Sequence, residues 1–271
     1  MFKKVVLASY LASTAVDPVF AVPAAYAYLD RLVALYAYAL QIYFDFSGYT
    51  DIAIGVALLL GVRFPPNFDS PYRSASIQEF WRRWHITLSR WLRDFLYIPL
   101  GGSKGGHLNT YRNLMLTMLL GGLWHGANWT FVIWGFLHGL ALAVERWLES
   151  RWDFVGDRFR LPVRVVRTVL TFHIVCLCWV FFRAESLGIA MEFFERTRVR
   201  EAMMVSSHPM LAVVLAGGIA VQFVPTSWEA RWVEWLSARG AVSMGVALGV
   251  ALALITVLGP QGVPPFIYFQ F

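Results

Sequence analysis

The residue in this chain best placed to do chemistry is His125. It stands in Gly121-Gly122-Leu123-Trp124-His125-Gly126-Ala127-Asn128, at the centre of Leu114–Gly139, an apolar run long enough to cross a bilayer. An ionisable side chain at that depth is costly and marks a functional site by default. Burial keeps an imidazole neutral, which is the form a general base for a hydroxyl needs, and such proton transfer is worth roughly 10²–10⁴-fold. The competing reading is a histidine satisfied inside a helix bundle or lining a passive pore. Three neighbours weigh towards function: the flanking glycines, Trp124, and Asn128, which at i+3 shares a helix face with His125.

Other polar residues are weaker candidates. His85, in Trp81-Arg82-Arg83-Trp84-His85, reads by itself as an interfacial histidine in an aromatic and cationic belt. Its functional reading is a second polar group reaching the same cavity, orienting the acceptor or stabilising developing charge. Ser89 at i+4 offers a Ser–His pair, without the Gly-x-Ser-x-Gly context of a nucleophile. Asp45 and Asp51 lie within FDFSGYTD, and intramembrane carboxylates are usually paired. A structural pair with an arginine of the amphipathic segment therefore weighs equally with a catalytic role. His138 reads as structural, and His107, His173 and His208 carry no specific signal. No Cys, His or carboxylate cluster has metal-ligand spacing, so no metal is expected. Gly101–Gly106 (GGSKGG) is loop chemistry, not a phosphate loop. Cys176 and Cys178, two apart in an apolar helix, point to different faces and form neither a disulfide nor a metal site.

What must position these residues is a membrane-embedded helical scaffold. Of the 271 residues 58% are hydrophobic and 15% charged, where soluble domains carry about a quarter charged. Twelve Trp, eleven Tyr and twenty-one Phe fit the aromatic belts of a bilayer. The net charge of +6 sits in short connections between apolar runs, as the positive-inside rule predicts, which disfavours nucleic acid and makes the lipid bilayer the partner. The expected fold is all-α: a multi-span helical bundle with amphipathic or re-entrant helices around a central tunnel, forming one domain over residues 1–271.

Along the chain, Met1–Ala25 is interrupted by Asp17-Pro18 and reads as an interfacial helix or the tail of something longer. Leu32–Val62 would extend about 46 Å as helix, one tilted span or a pair broken at Gly48. Three prolines follow in Arg63–Ser76, then Ile77–Leu100, an amphipathic helix at the membrane surface or re-entering it. Tyr111–Val144, about 51 Å as helix, is long for one crossing and short for two, so a hairpin or break at its glycines is expected. Irregular backbone at depth needs surrounding protein or a water-filled cavity, which places His125 at the bottom of a cavity or tunnel. Val165–Phe182, Pro209–Val224 and Val242–Leu258 read as spans, and Leu187–Arg200 and Trp228–Leu236 as amphipathic. Arg63–Arg112, with eight basic and three acidic residues, argues for the cytoplasmic side, and Glu145–Arg167, with six Arg, is also basic; if both are cytoplasmic, the segment between them must be a hairpin.

The chain resembles the membrane-bound O-acyltransferase (MBOAT) family, in the branch of bacterial alginate and related polysaccharide O-acetyltransferases. The stretches that carry the resemblance are Leu40–Gly55 (LQIYFDFSGYTDIAIG), Glu79–Gly102 (EFWRRWHITLSRWLRDFLYIPLGG), Gly121–Gly139, Trp179–Ser186 (WVFFRAES) and Pro265–Phe271 (PFIYFQF). The resemblance implies acyl transfer to a hydroxyl within a membrane-crossing tunnel, with His125 matching the active-site histidine of the WHG motif and His85 the second histidine, in RWH. Trp124, Asn128 and Asp45 become substrate-tunnel candidates. It further implies an acetyl-CoA or other acyl-thioester donor from the cytoplasm, no bound cofactor, an exported polysaccharide as acceptor, and periplasmic or membrane-anchored acetylation proteins as partners. The expected location is the bacterial cytoplasmic (inner) membrane, multi-pass. Family members carry further membrane helices before the point matching Met1, so the chain is expected to be a C-terminal portion of the family's domain. The alternatives are transfer of another acyl group, such as D-alanine or a fatty acid, and a non-catalytic scaffold or acyl-passing channel.

Overall fold

The computed structural model describes residues 1–151, 161–195 and 208–260, and its regular elements are helical. The first helix, α1 (Lys3–Ala21), is long and apolar enough to cross a membrane, which corrects the interfacial assignment. The Asp17-Pro18 interruption does not end it. Pro18 falls in the first turn of Asp17–Ala21, directly after the π-helical turn Ala12–Val16, where a missing N–H costs least.

The centre of the molecule is α2 (Tyr28–Leu59), one unbroken helix of 32 residues, about 48 Å long. Every residue from Ala37 to Gly48 is buried, so this stretch is packed on all sides. Gly48 is therefore not a break. A Cβ placed there would stand 3.0 Å from the Lys4 backbone nitrogen, so the glycine lets α1 pack closely on α2.

The amphipathic segment is not one helix. It divides into α3 (Ile77–Arg83) and α4 (Ile86–Leu92), the latter continuing as a π-helical turn over Arg93–Tyr97. Four glycines with positive φ, Gly101, Gly102, Gly105 and Gly106, then turn the chain into α5 (His107–His125). With α6 (Trp129–Arg151) this forms the expected hairpin, but the bend lies at Gly126–Asn128 and not at Gly121–Gly122. The helical glycines serve packing instead. A Cβ on Gly122 would strike the Phe131 carbonyl oxygen, and one on Gly135 the Met118 carbonyl oxygen. Small residues on facing helices are what let two backbones approach this closely in a membrane.

The long α7 (Leu161–Arg183) closes the core, where Trp179 and Phe182 join Phe80, Trp84 and Trp134, all nearly inaccessible. It is followed by α8 (Leu187–Phe194), α9 (Pro209–Val221), α10 (Thr226–Ser237) and α11 (Ala241–Leu258). Among the described residues five helices are long and apolar enough to span a bilayer: α1, α2, α6, α7 and α11. The expected span Pro209–Val224 is shorter than predicted, because α9 ends at Val221 after 13 residues, about 20 Å. The motif Pro265–Phe271 and the end of Leu187–Arg200 lie outside the described residues, as does part of the charged connection Glu145–Arg167.

Candidate active site

His85 sits at the kink between α3 and α4. The start of α3 is held at both ends of its first turn: the N-cap Ser76 Oγ accepts the Glu79 N–H at 2.9 Å, and Glu79 Oε2 accepts the N–H of the preceding Ala75 at 2.9 Å. The helix ends at Trp84, and His85 takes a left-handed backbone, φ 43°, which a non-glycine residue adopts only where its surroundings impose it. The preceding loop imposes it here. The Asp69 N–H donates to the Arg83 carbonyl and the Ile86 N–H to the Asn67 carbonyl, each at 3.0 Å, while the Arg83 guanidinium reaches Asp69 Oδ2 at 2.6 Å.

Asn67, which the sequence did not single out, fixes the imidazole. Its Oδ1 accepts the Thr87 backbone N–H at 3.1 Å and the Thr87 hydroxyl at 2.9 Å, so the oxygen end of the amide faces this group. His85 Nδ1, 3.2 Å away, must then be the donor, leaving Nε2 with its lone pair. Burial pushes the His85 pKa down to about 4, so the ring is neutral at pH 7. Phe46 of α2 packs against the ring at a centroid distance of 4.7 Å.

His125 is the last residue of α5, at the hairpin bend. Rings surround it: Phe182 at 5.0 Å, Trp124 at 5.1 Å, Trp134 at 5.2 Å and Phe131 at 6.1 Å between centroids. A charge on His85 would be felt at His125, so the fold sets the two histidines singled out in the sequence in the same region of the molecule. Trp134 links His125 to His138, which is fully buried and packed against Trp81 and Trp134, in keeping with a structural part.

The other candidates land elsewhere. Trp124 is 60% exposed beside His125. Asn128 does not share a helix face with His125, because α5 has ended before it. Its Oδ1 accepts the Thr130 N–H at 3.1 Å, capping α6, and its Nδ2 donates to the Glu185 carbonyl at 3.1 Å. Asp45 is paired with Lys4 of α1, not with an arginine of the amphipathic segment, because the close approach at Gly48 brings Lys4 alongside it. Asp51 pairs with Lys3 at 2.5 Å. Ser89 Oγ donates to the Trp84 carbonyl at 3.0 Å and so caps the kink instead of forming a Ser–His pair.

A cavity of about 600 Å³ lies between α3–α4 and the α5–α6 hairpin, with Trp81, Ser89, Arg90, Leu114 and Met118 in its wall. Neither His85 nor His125 lines it. The aromatic rings close directly around the imidazole. Among the described residues no group of three or more His, Cys, Asp or Glu stands where it could hold a metal ion.

Residues 4–182 match the model of the membrane-bound O-acyltransferase (MBOAT) family, a stretch that includes both histidines and the ring cluster around them. The chain belongs to the MBOAT family. This MBOAT chain is 43% identical over 267 residues to a probable alginate O-acetylase (AlgI) of Pseudomonas putida, covering 89% of the chain and 53% of the relative. It is 47% identical over 193 residues to a peptidoglycan O-acetyltransferase of Helicobacter pylori, covering 71% and 36%. A teichoic acid D-alanyltransferase of Streptococcus thermophilus is more distant, at 33% over 171 residues, covering 57% and 41%. The chain thus spans between about a third and a half of the length of these MBOAT relatives.

Proposed function

We propose that the protein transfers an acetyl group from a cytoplasmic thioester, such as acetyl-CoA, to hydroxyls of an exported alginate-like polysaccharide. The observation that carries this reading is the pair of settings in one region: His125 at the hairpin bend, ringed by aromatic side chains, and a neutral His85 whose tautomer is set by Asn67. Its context in an O-acyltransferase family, with relatives named for acetylation of alginate and peptidoglycan, supports acetyl as the group and a polymer hydroxyl as the acceptor.

In this mechanism His125 takes the hydroxyl proton as the alcohol oxygen attacks the thioester carbonyl. The C–O bond forms, the C–S bond breaks, and the leaving thiolate recovers the proton from the imidazolium. The tautomer of His85 narrows its part. A neutral ring whose Nδ1–H is held by Asn67 offers only the Nε2 lone pair, so His85 orients the acceptor by accepting from a second hydroxyl of the polymer, while His125 takes the proton of the reacting one. A cytoplasmic donor and an external polymer call for a multi-pass protein of the bacterial inner membrane, and periplasmic or membrane-anchored partners would take part in delivering the acetyl groups to the polymer.

The test is His125→Ala in the full-length enzyme, followed by polymer acetylation at matched protein abundance. The expected loss is about 10²–10⁴-fold. Acetylation at the wild-type level would refute the assignment. The D-alanyltransferase relative favours a second reading, in which the acyl group is D-alanine. Mass spectrometry of the modified polymer separates the two groups.

A further inference from the structure

The cavity between α3–α4 and the hairpin is not used by this chemistry, and its wall is amphiphilic. Arg82, Arg90, Arg93 and Arg146 contribute to one part of it, and Leu92, Leu114, Met118 and Leu142 to another. Glu145 and Glu149 also line it, leaving the arginines in excess. Glu145 is partly occupied: its Oε2 accepts the backbone N–H groups of Ile77 at 2.8 Å and Gln78 at 3.2 Å, at the start of α3. Arg93 pairs with Asp94 at 2.7 Å, but both side chains are well exposed, so solvent weakens the pair. A guanidinium group suits a phosphate, which it can grip with two parallel hydrogen bonds. The lining thus fits a phosphate-bearing molecule with an apolar tail.

Two observations decide between a lipid and a soluble phosphorylated donor. The segment that supplies Arg90 and Arg93 turns Trp91, Phe95 and Ile98 outward, at 53%, 68% and 57% exposure. Apolar and cationic side chains interleaved on a segment too charged to cross the bilayer place it at the level of the lipid phosphates. Neither His85 nor His125 lines the cavity, so a thioester seated in it would not present its carbonyl to an imidazole. We propose that this cavity holds an anionic membrane phospholipid, its phosphate against the arginines and an acyl chain along Leu92, Leu114, Met118 and Leu142.

The experiment is lipid binding to the purified full-length protein in detergent, read by native mass spectrometry with phosphatidylglycerol and phosphatidylcholine as probes. Phosphatidylglycerol is expected to bind on the order of tenfold more tightly. The double variant Arg90→Gln/Arg146→Gln should bring it to the phosphatidylcholine level, while Arg90→Lys/Arg146→Lys, which keeps the charge, should retain most of the preference. Equal binding of the two lipids, or a preference that survives the glutamine variant, overturns the proposal. So does displacement of phosphatidylglycerol from the wild type by coenzyme A, which would assign the arginines to a soluble phosphorylated ligand. Since transfer is not the readout, failure of this proposal leaves the acyl-transfer reading intact, and the converse also holds.

Discussion

Along the α1–α2 contact the charges come in pairs, Lys4 with Asp45 and Lys3 with Asp51, whereas the imidazoles near the hairpin bend stand among aromatic rings. A carboxylate already matched by an ammonium has its charge committed, and the pair's return is to hold two helices in register. A neutral imidazole anchored through one nitrogen keeps a lone pair on the other, as His85 does beside Asn67. The first arrangement suits scaffold and the second suits proton transfer. A polar residue at membrane depth is thus judged by what its partner leaves available, not by its type alone.

The strongest way to break this contrast is Lys4→Met. The Lys4 and Asp45 side chains are only 11% and 10% exposed, so removing Lys4 takes the ammonium away from a buried carboxylate. The expected loss of stability is about 3 kcal/mol, seen as a lower melting temperature of the purified protein in detergent. Lys4→Met combined with Asp45→Asn, which removes both charges, should recover most of that loss. If the double variant is no more stable than the single one, Asp45 matters for something other than its pair, and its candidacy as a tunnel residue revives.

An effect of similar size, spread over a pH interval, is expected at the imidazole side. The His85 pKa is lowered from 6.5 to about 4 by burial, so the folded site resists a proton that the unfolded chain accepts. Its contribution to stability is complete above pH 6.5 and is lost progressively as pH falls towards 4. His85→Gln cannot be protonated in this range, so its melting temperature should fall less steeply over the same interval. Parallel curves for the two proteins would show that the His85 ring is not sheltered as its packing against Phe46 indicates.

These two regions were not equally legible in the sequence. That a hairpin surrounds His125 followed from length alone, since Tyr111–Val144 is too long for one crossing and too short for two. Where it bends did not follow, because a glycine can end a helix or admit a neighbouring one. Gly121–Gly122 looks like the break only until Phe131 and Gly135 are seen against Gly122, and Gly48 misled in the same way until Lys4 appeared beside it. Its depth in an apolar run singled out His125, and the family resemblance raised His85 beside it. Their supports stayed hidden because they are distant in sequence: Asn67 lies 18 residues before His85, and Lys4 is 41 residues from Asp45. No periodicity marks such partners, and the left-handed turn at His85 replaced the single amphipathic helix that the Trp and Leu spacing of Ile77–Leu100 predicted.

The smallest expected effect provides the internal control for the ion-pair half of the contrast. Asp45 and Asp51 lie on the same helix, and each faces a lysine of α1, but the Lys3 and Asp51 side chains are 34% and 56% exposed. An exposed pair gains little in a high dielectric and loses side-chain entropy, so Lys3→Met should cost about 0–1 kcal/mol in the same melting experiment. Added salt should narrow even that difference, since exposed charges are screened and buried ones much less so. A loss at Lys3 as large as that at Lys4 would mean that burial is not what separates the two pairs. The α1–α2 contact would then behave as one electrostatic unit, with Gly48 bringing the helices close enough for both lysines to count equally.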